Sequence, residues 1–286
     1  VYTGTIDHHG TATGGDFSQV SELHIHDGVE WNYDTLVGSA TNEGTITAGT
    51  FYSVGNLGII SGGNFEGNVS NAGTISAGSY FDEVQNEGLI SGGSFEDNVI
   101  NTEAATITGG VFTDDILNNG SINIAGGLTI AADKELSGTG TVANAVTNLG
   151  TISGNTFSGV VNNAEGTISG GIFNGNNAAH ALGGVIDVTG TLGGSSYFSS
   201  DVTVQNSGTL SGGIYTGVIT DRGLISGGTF NRDVFLYDHA SISGGTFSAT
   251  PVVPSDSVLS GGQFSVAIHN DGTIESGTFD GDVHNL

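Results

Sequence analysis

The chain has 286 residues, with 51 Gly, 2 Pro, no Cys and no Met, and 29 acidic against 3 basic side chains give it a formal charge of −26. With Lys134, Arg222 and Arg232 as its cations it cannot neutralise a run of phosphates, which excludes nucleic acid as a partner and disfavours anionic membrane surfaces. The lack of Cys removes disulfide scaffolds, thiolate metal sites and Cys nucleophiles, and no apolar stretch approaches the ~18 residues of a membrane span, so membrane insertion is not expected.

Residues 1–43 follow no repeat. They hold Phe17, Leu23, Ile25, the single Trp31 and Tyr33, and are expected to form an atypical N-terminal coil or a cap. His8-His9 and His24-x-His26-Asp27 lie in the same segment. Alternation along a strand puts His24 and His26 on one face, where two imidazoles and a carboxylate can begin a metal site. The spacing supplies no fourth ligand, and solvated surface histidines are the simpler expectation.

From residue 44 to residue 286 the segment Gly-x-Ile-Ser-Gly-Gly-x-Phe-x-x-x-Val-x-Asn-x-Gly recurs. Its aliphatic anchor falls at Ile46, Ile60, Ile75, Ile90, Ile107, Ile122, Leu136, Ile152 and Ile168, and resumes at Leu192, Leu210, Ile225, Ile242, Leu259 and Ile274. An aromatic follows about five residues later, as at Phe51, Phe65, Phe81 or Tyr80, and Phe95, and then a Val or Ile such as Val69, Val84, Val99 or Ile116. No window sustains the i, i+3, i+4, i+7 spacing of a helix, and each interior Gly would cost a helix ~1 kcal/mol.

These facts predict an all-β fold: a single-stranded parallel β-helix, or β-solenoid, with three-faced coils of about 15–17 residues, three inward side chains per coil and a right-handed turn as the expected hand. Gly-Gly pairs are expected at the corners, where the chain needs φ > 0 or has no room for a Cβ. Asn42, Asn56, Asn71, Asn86, Asn118, Asn148, Asn206 and Asn270 each precede a Gly by two and are expected to form a structural amide ladder from coil to coil. Irregular coils are expected at 120–150 and 174–191, within one domain. At ~4.8 Å per coil the repeats would make a rod roughly 70 Å long.

The final unit, with Ile274, Phe279, Val283 and Leu286, has no polar or helical terminator. An uncapped stack in a sheet end invites pairing, so these residues are expected at one self-assembly end and Phe17, Leu23, Ile25 and Trp31 at the other.

Other patterns carry candidate chemistry. Thr and Ser flank the anchor on the outward side, as in Thr45/Thr47, Thr74/Ser76 and Thr106/Thr108. Ranked hydroxyls of this kind resemble the Thr-x-Thr arrays of β-solenoid ice-binding proteins, although Ile59, Leu89, Leu224 and Val258 interrupt the ranks. Acidic residues cluster between the aromatic and the Val, and Glu96, Asp97, Asp114 and Asp115 could hold a weak calcium ion, against the simpler reading of a solvated negative ridge. No other cofactor is expected. The lyases and hydrolases built on parallel β-helices need basic residues that this surface lacks, so no enzyme is expected and no catalytic residue is assigned.

At the level of Gly-Thr-Ile-Ser-Gly-Gly-Thr-Phe with Asn-x-Gly, the chain resembles the repeats of bacterial extracellular β-solenoids, such as autotransporter passengers and adhesins. The resemblance implies an extracellular or cell-surface protein of a bacterium or archaeon with a structural or adhesive role. The leading expectation is a non-enzymatic rod that pairs with itself head to tail into a fibre. The second is a monomeric adhesin or carbohydrate-binding module that meets glycans or a host surface through Trp31, Tyr33, Tyr197 and Tyr215, and the third is ice binding.

Overall fold

A computed structural model describes residues 3–10, 19–163, 166–173, 185–188, 191–194, 197–198, 201–206, 208–237 and 239–285. Phe17, Leu286 and most of 174–191 lie outside them. The described chain is all β, its parallel strands stacked as a β-solenoid of about 15 turns. It falls into two compact units, Val1–Ile130 with Lys134–Ala143 and Ala131–Asp133 with Asn144–Leu286.

The first unit opens with β1 (Thr3–His8), β2 (Gln19–Ile25) and β3 (Glu30–Asn42), which pair in parallel and in sequence. They are coils in their own right. Trp31 pairs with Ile46 in the anchor column, and Val37 with Phe51 in the aromatic column. Regular coils follow, each a seven-residue strand and a three-residue strand: β4 (Thr45–Phe51) with β5 (Val54–Asn56), then β6 (Ile59–Phe65) with β7 (Val69–Asn71). Register places like on like, so that Ile46, Ile60 and Ile75 stack, as do Phe51, Phe65 and Tyr80, and Val54, Val69 and Val84.

Four side chains point inward per regular coil rather than the three expected. Ile60, Phe65, Val69 and Asn71 are all buried, and the Asn caps the turn that follows it from inside the coil, as Asn56 does by donating to the Gly58 carbonyl. The Gly-Gly pair of a regular coil lies within the seven-residue strand, and at Gly62 a Cβ would run into the Thr47 carbonyl, as expected of a corner. Its second member, Gly63, has φ +104°, a conformation that L side chains rarely adopt. The aromatics from Phe51 to Phe112 stack with centroids 4.6–5.4 Å apart and planes within 13°. Tyr80 and not Phe81 belongs to this column. Its hydroxyl donates to the Ala77 carbonyl at 3.0 Å and burial pushes its pKa up, while Phe81 faces solvent.

The register departs from the expected pattern at Leu136. It pairs with Ile116, in the Val/Ile column, and the anchor column runs from Ile122 to Val142. The cause is an added strand, Leu128–Ile130, which lengthens the chain between Ile122 and Leu136.

In the second unit the anchors Leu192, Leu210, Ile225, Ile242, Leu259 and Ile274 are in register, and the aromatics from Phe198 to Phe279 stack at 4.7–5.2 Å. The change of pattern lies before them. Ile168 pairs with Ile186 and Ile186 with Val202, so the strand Val185–Val188 carries the anchor column over into the Val/Ile column. Phe173 accordingly meets Phe198 edge-on, at 5.9 Å and 90°.

Candidate functional site

The buried amides form the most regular polar feature of the first unit. Nδ2 of each Asn donates to Oδ1 of the next along Asn42, Asn56, Asn71, Asn86, Asn101 and Asn118, at 2.6–2.8 Å. In the second unit Asn148 donates to Asn163 at 2.5 Å and Asn270 to Asn285 at 3.0 Å. Asn206 does not belong. It is exposed, and Val204 takes the ladder position of its coil, paired with Val188 and Asp221. The rule that separates them is distance from the aromatic: the ladder residue is the sixth after Phe95, Phe112, Phe157, Phe198, Tyr215 and Phe264, giving Asn101, Asn118, Asn163, Val204, Asp221 and Asn270.

The outward hydroxyl rank is also structural in part. Ser61, Ser76, Ser91 and Thr108 each donate to the carbonyl of the anchor residue one coil below, at 3.2–3.4 Å. These donors are committed to the protein backbone.

The acidic ridge is divided among local partners. Asp114 Oδ2 accepts from Lys134 Nζ at 2.6 Å, and this ammonium holds the Asp114 carboxyl below its ordinary range. Asp115 Oδ1 accepts the Glu135 backbone N–H at 2.7 Å, and Asp97 Oδ1 accepts that of Asn98 at 2.6 Å. Glu96 is exposed. Asp114 is thus paired with a cation that the chain itself supplies.

Of the residues expected at the N-terminal assembly end, the three within the described residues are interior. Leu23, Ile25 and Trp31 are 0–1% exposed, because β1 covers β2 and His8 packs edge-on against Trp31 at 5.4 Å. Trp31 and Tyr215 therefore cannot serve as outward glycan platforms, Tyr215 being stacked in the aromatic column. Tyr33 is half-buried against Trp31, and the Tyr197 side chain lies outside the described residues.

The coil of Ile274, Phe279 and Val283 belongs to the second unit. Ile274 and Phe279 are half-buried and Val283 is exposed, around a shallow concavity of about 440 Å³ that Asn270, Asp271 and Asn285 also line. Each is paired with the coil before it, Ile274 with Leu259, Phe279 with Phe264 and Val283 with Ile268.

The histidines do not form the His24–His26–Asp27 set weighed above against solvated surface side chains. His24 reaches Glu22 at 3.4 Å, whereas His26 turns to Asp7 and His9 in the coil below and Asp27 stays exposed in a turn. His269 and His284 stack as their equivalent positions require, with centroids 5.4 Å apart.

Fold and register define a parallel β-solenoid repeat protein. Comparison of the chain with family models, curated proteins and solved structures found no match.

Proposed function

We propose that the protein is a non-enzymatic structural solenoid of the bacterial or archaeal cell exterior, whose copies stack head to tail into a fibre. The supporting observation is the coil that carries Ile274, Phe279 and Val283. It repeats the inward pattern of the coils before it, with Phe279 parallel to Phe264 at 5.2 Å and Asn285 accepting from Asn270, so it carries the same strand edges and apolar columns by which coils stack within the chain. A further coil laid on it in register would satisfy the strand groups of Thr273–Ile274, Thr278–Phe279 and Val283–Asn285 and cover the apolar side chains. Supplied by a second copy without rotational closure, that coil generates an open filament. The extracellular setting rests on the resemblance of the repeat to secreted β-solenoids.

The test is negative-stain electron microscopy with sedimentation velocity across a concentration series at neutral pH. Filaments that lengthen with concentration and shorten in Ile274→Glu, with an unchanged circular dichroism spectrum, support stacking. Particles of one chain at every concentration overturn it.

A further inference from the structure

We infer that the protein holds a divalent transition-metal ion of the zinc class on the outer face of its first two coils, with Asp7, His9 and His26 as ligands. The placement follows from register. His8 pairs with Ile25 and Ile25 with Asn42, so the next residues, His9, His26 and Glu43, fall on successive rungs of one outward column. The His9 and His26 rings are stacked, with centroids 3.7 Å apart and planes 11° from parallel. Asp7 lies in β1 two residues before His9, which directly follows the strand's last residue, and both side chains are exposed on the side where they meet.

Both imidazoles present Nε2 to the one carboxylate: His26 Nε2 is 2.5 Å from Asp7 Oδ1 and His9 Nε2 is 3.2 Å from Asp7 Oδ2. The three ligand atoms lie within 4.8 Å of one another, the one such convergence of His and carboxylate groups among the described residues. On the far side of the His26 ring, Nδ1 is 3.7 Å from Glu43 Oε2. A carboxylate there favours the Nδ1–H tautomer and leaves the Nε2 lone pair for an ion, the relation that orients metal-bound histidines generally.

Two imidazole nitrogens and one carboxylate oxygen suit Zn²⁺, Ni²⁺ or Cu²⁺ rather than Ca²⁺, which takes six to eight oxygens. Tetrahedral zinc bonds of about 2.0–2.2 Å put ligand atoms roughly 3.3 Å apart, so small rotations of these exposed or half-buried side chains admit the ion. Asp7 and His9 are exposed and His26 is half-buried, so an ion held by them is reached directly from solvent. Without an ion, two parallel rings crowd one carboxylate.

The test is isothermal titration of the full chain, stripped of metal with a chelator, with Zn²⁺ at neutral pH. The expected result is one equivalent bound, at least about ten-fold weaker in each of His9→Ala, His26→Ala and Asp7→Asn, and unchanged in His24→Ala and His269→Ala. The ring-proton NMR signals of His9 and His26 should move on zinc addition, and a millimolar excess of Ca²⁺ should not reverse it. Thermal melts of the variants in chelator, matching the parent, show that weakening is not unfolding. No zinc binding up to about 1 mM, binding indifferent to His9 and His26, or displacement by Ca²⁺ overturns the assignment.

Discussion

Asn56 donates its Nδ2 to Oδ1 of Asn71 at 2.6 Å, with both amides shut away from solvent. The same nitrogen lies 3.3 Å from the carbonyls of Gly58 and Thr74, so it ties its own turn to that of the next coil. A buried amide that loses its partner bears the desolvation cost alone, about 1–3 kcal/mol for each group left unsatisfied. Asn71→Ala removes an acceptor from Asn56 and a donor from Asn86, and is expected to lower unfolding stability by about 2–4 kcal/mol. Asn71→Leu should also destabilise despite filling the space, and adding Asn86→Leu should cost less than the two singles summed, because their shared bond is lost once. Urea unfolding of Asn71→Ala, Asn71→Leu, Asn86→Leu and the double Leu variant measures this. Strict additivity would show that the ladder is not energetically coupled.

The closeness of successive turns makes a second set of positions selective. A Cβ at Gly73 would lie 2.1 Å from the Gly58 carbonyl oxygen, in the backbone of the coil below, whereas one at Gly55 would meet nothing within 4 Å. The first contact cannot be relieved by turning a side chain. Gly73→Ala is therefore expected to destabilise by about 3 kcal/mol or to prevent folding, and Gly55→Ala to change stability by less than about 0.5 kcal/mol or to raise it slightly. Thermal melts of the two variants side by side check the prediction, and equal losses would contradict it.

The repeat was legible because the three apolar columns recur at nearly fixed spacing, and the anchor, aromatic and Val/Ile positions from Ile46 to Ile116 are all buried and in register. Asn-x-Gly was a poorer guide, since it reports the turn that follows the ladder and not the ladder itself. It passed over Asn101, which is followed by Thr-Glu, and admitted Asn206, whose coil is filled by Val202 and Val204. Counting from the aromatic finds both, because Phe95 and Phe198 fix where the next inward positions fall. Trp31 falls in a segment that does not follow the repeat, so its column was not legible and an outward glycan contact stayed open; strand register seats it on Ile46. The Asp7–His9–His26 cluster was not legible from local spacing, since it needs the β1–β2 register to bring His9 onto His26.

The ridge around Asp114 makes a prediction about calcium. Lys134 already neutralises Asp114 at 2.6 Å, and Asp115 is held by a backbone N–H, so oxygens that a calcium ion would need are committed. Millimolar Ca²⁺ is expected to leave the melting temperature of the parent within about 1 °C, a change too small for meaningful linkage. Lys134→Gln should cost less than about 1 kcal/mol, as for other accessible ion pairs. A calcium-dependent rise of several degrees in the parent would show a site that the ion pair does not block.

Asp221 marks the one ladder position among the described residues where a carboxyl replaces the amide, with Val204 and Leu236 as its column neighbours. Oδ1 accepts the Gly223 N–H at 3.0 Å, while Oδ2 is buried with no hydrogen-bond partner. Burial pushes its pKa up to about 7 against an ordinary 3.8, with the Gly223 bond opposing the change. Because the folded value lies above the unfolded one, the folded state binds the extra proton between these values. The penalty is absent below about pH 4, grows through the interval, and is complete above about pH 7, where ionising the buried carboxyl costs the fold on the order of 4 kcal/mol. Asp221→Asn removes the charge and gives the position a donor whose counterparts in Asn56 bond the carbonyls of Gly58 and Thr74, equivalent here to Gly223 and Ser241. The variant is expected to be more stable than the parent at pH 8 by a few kcal/mol, with the difference shrinking as pH falls towards 4. Denaturant unfolding at pH 4, 6 and 8 measures it, and a gain independent of pH would assign the effect to the added amide alone.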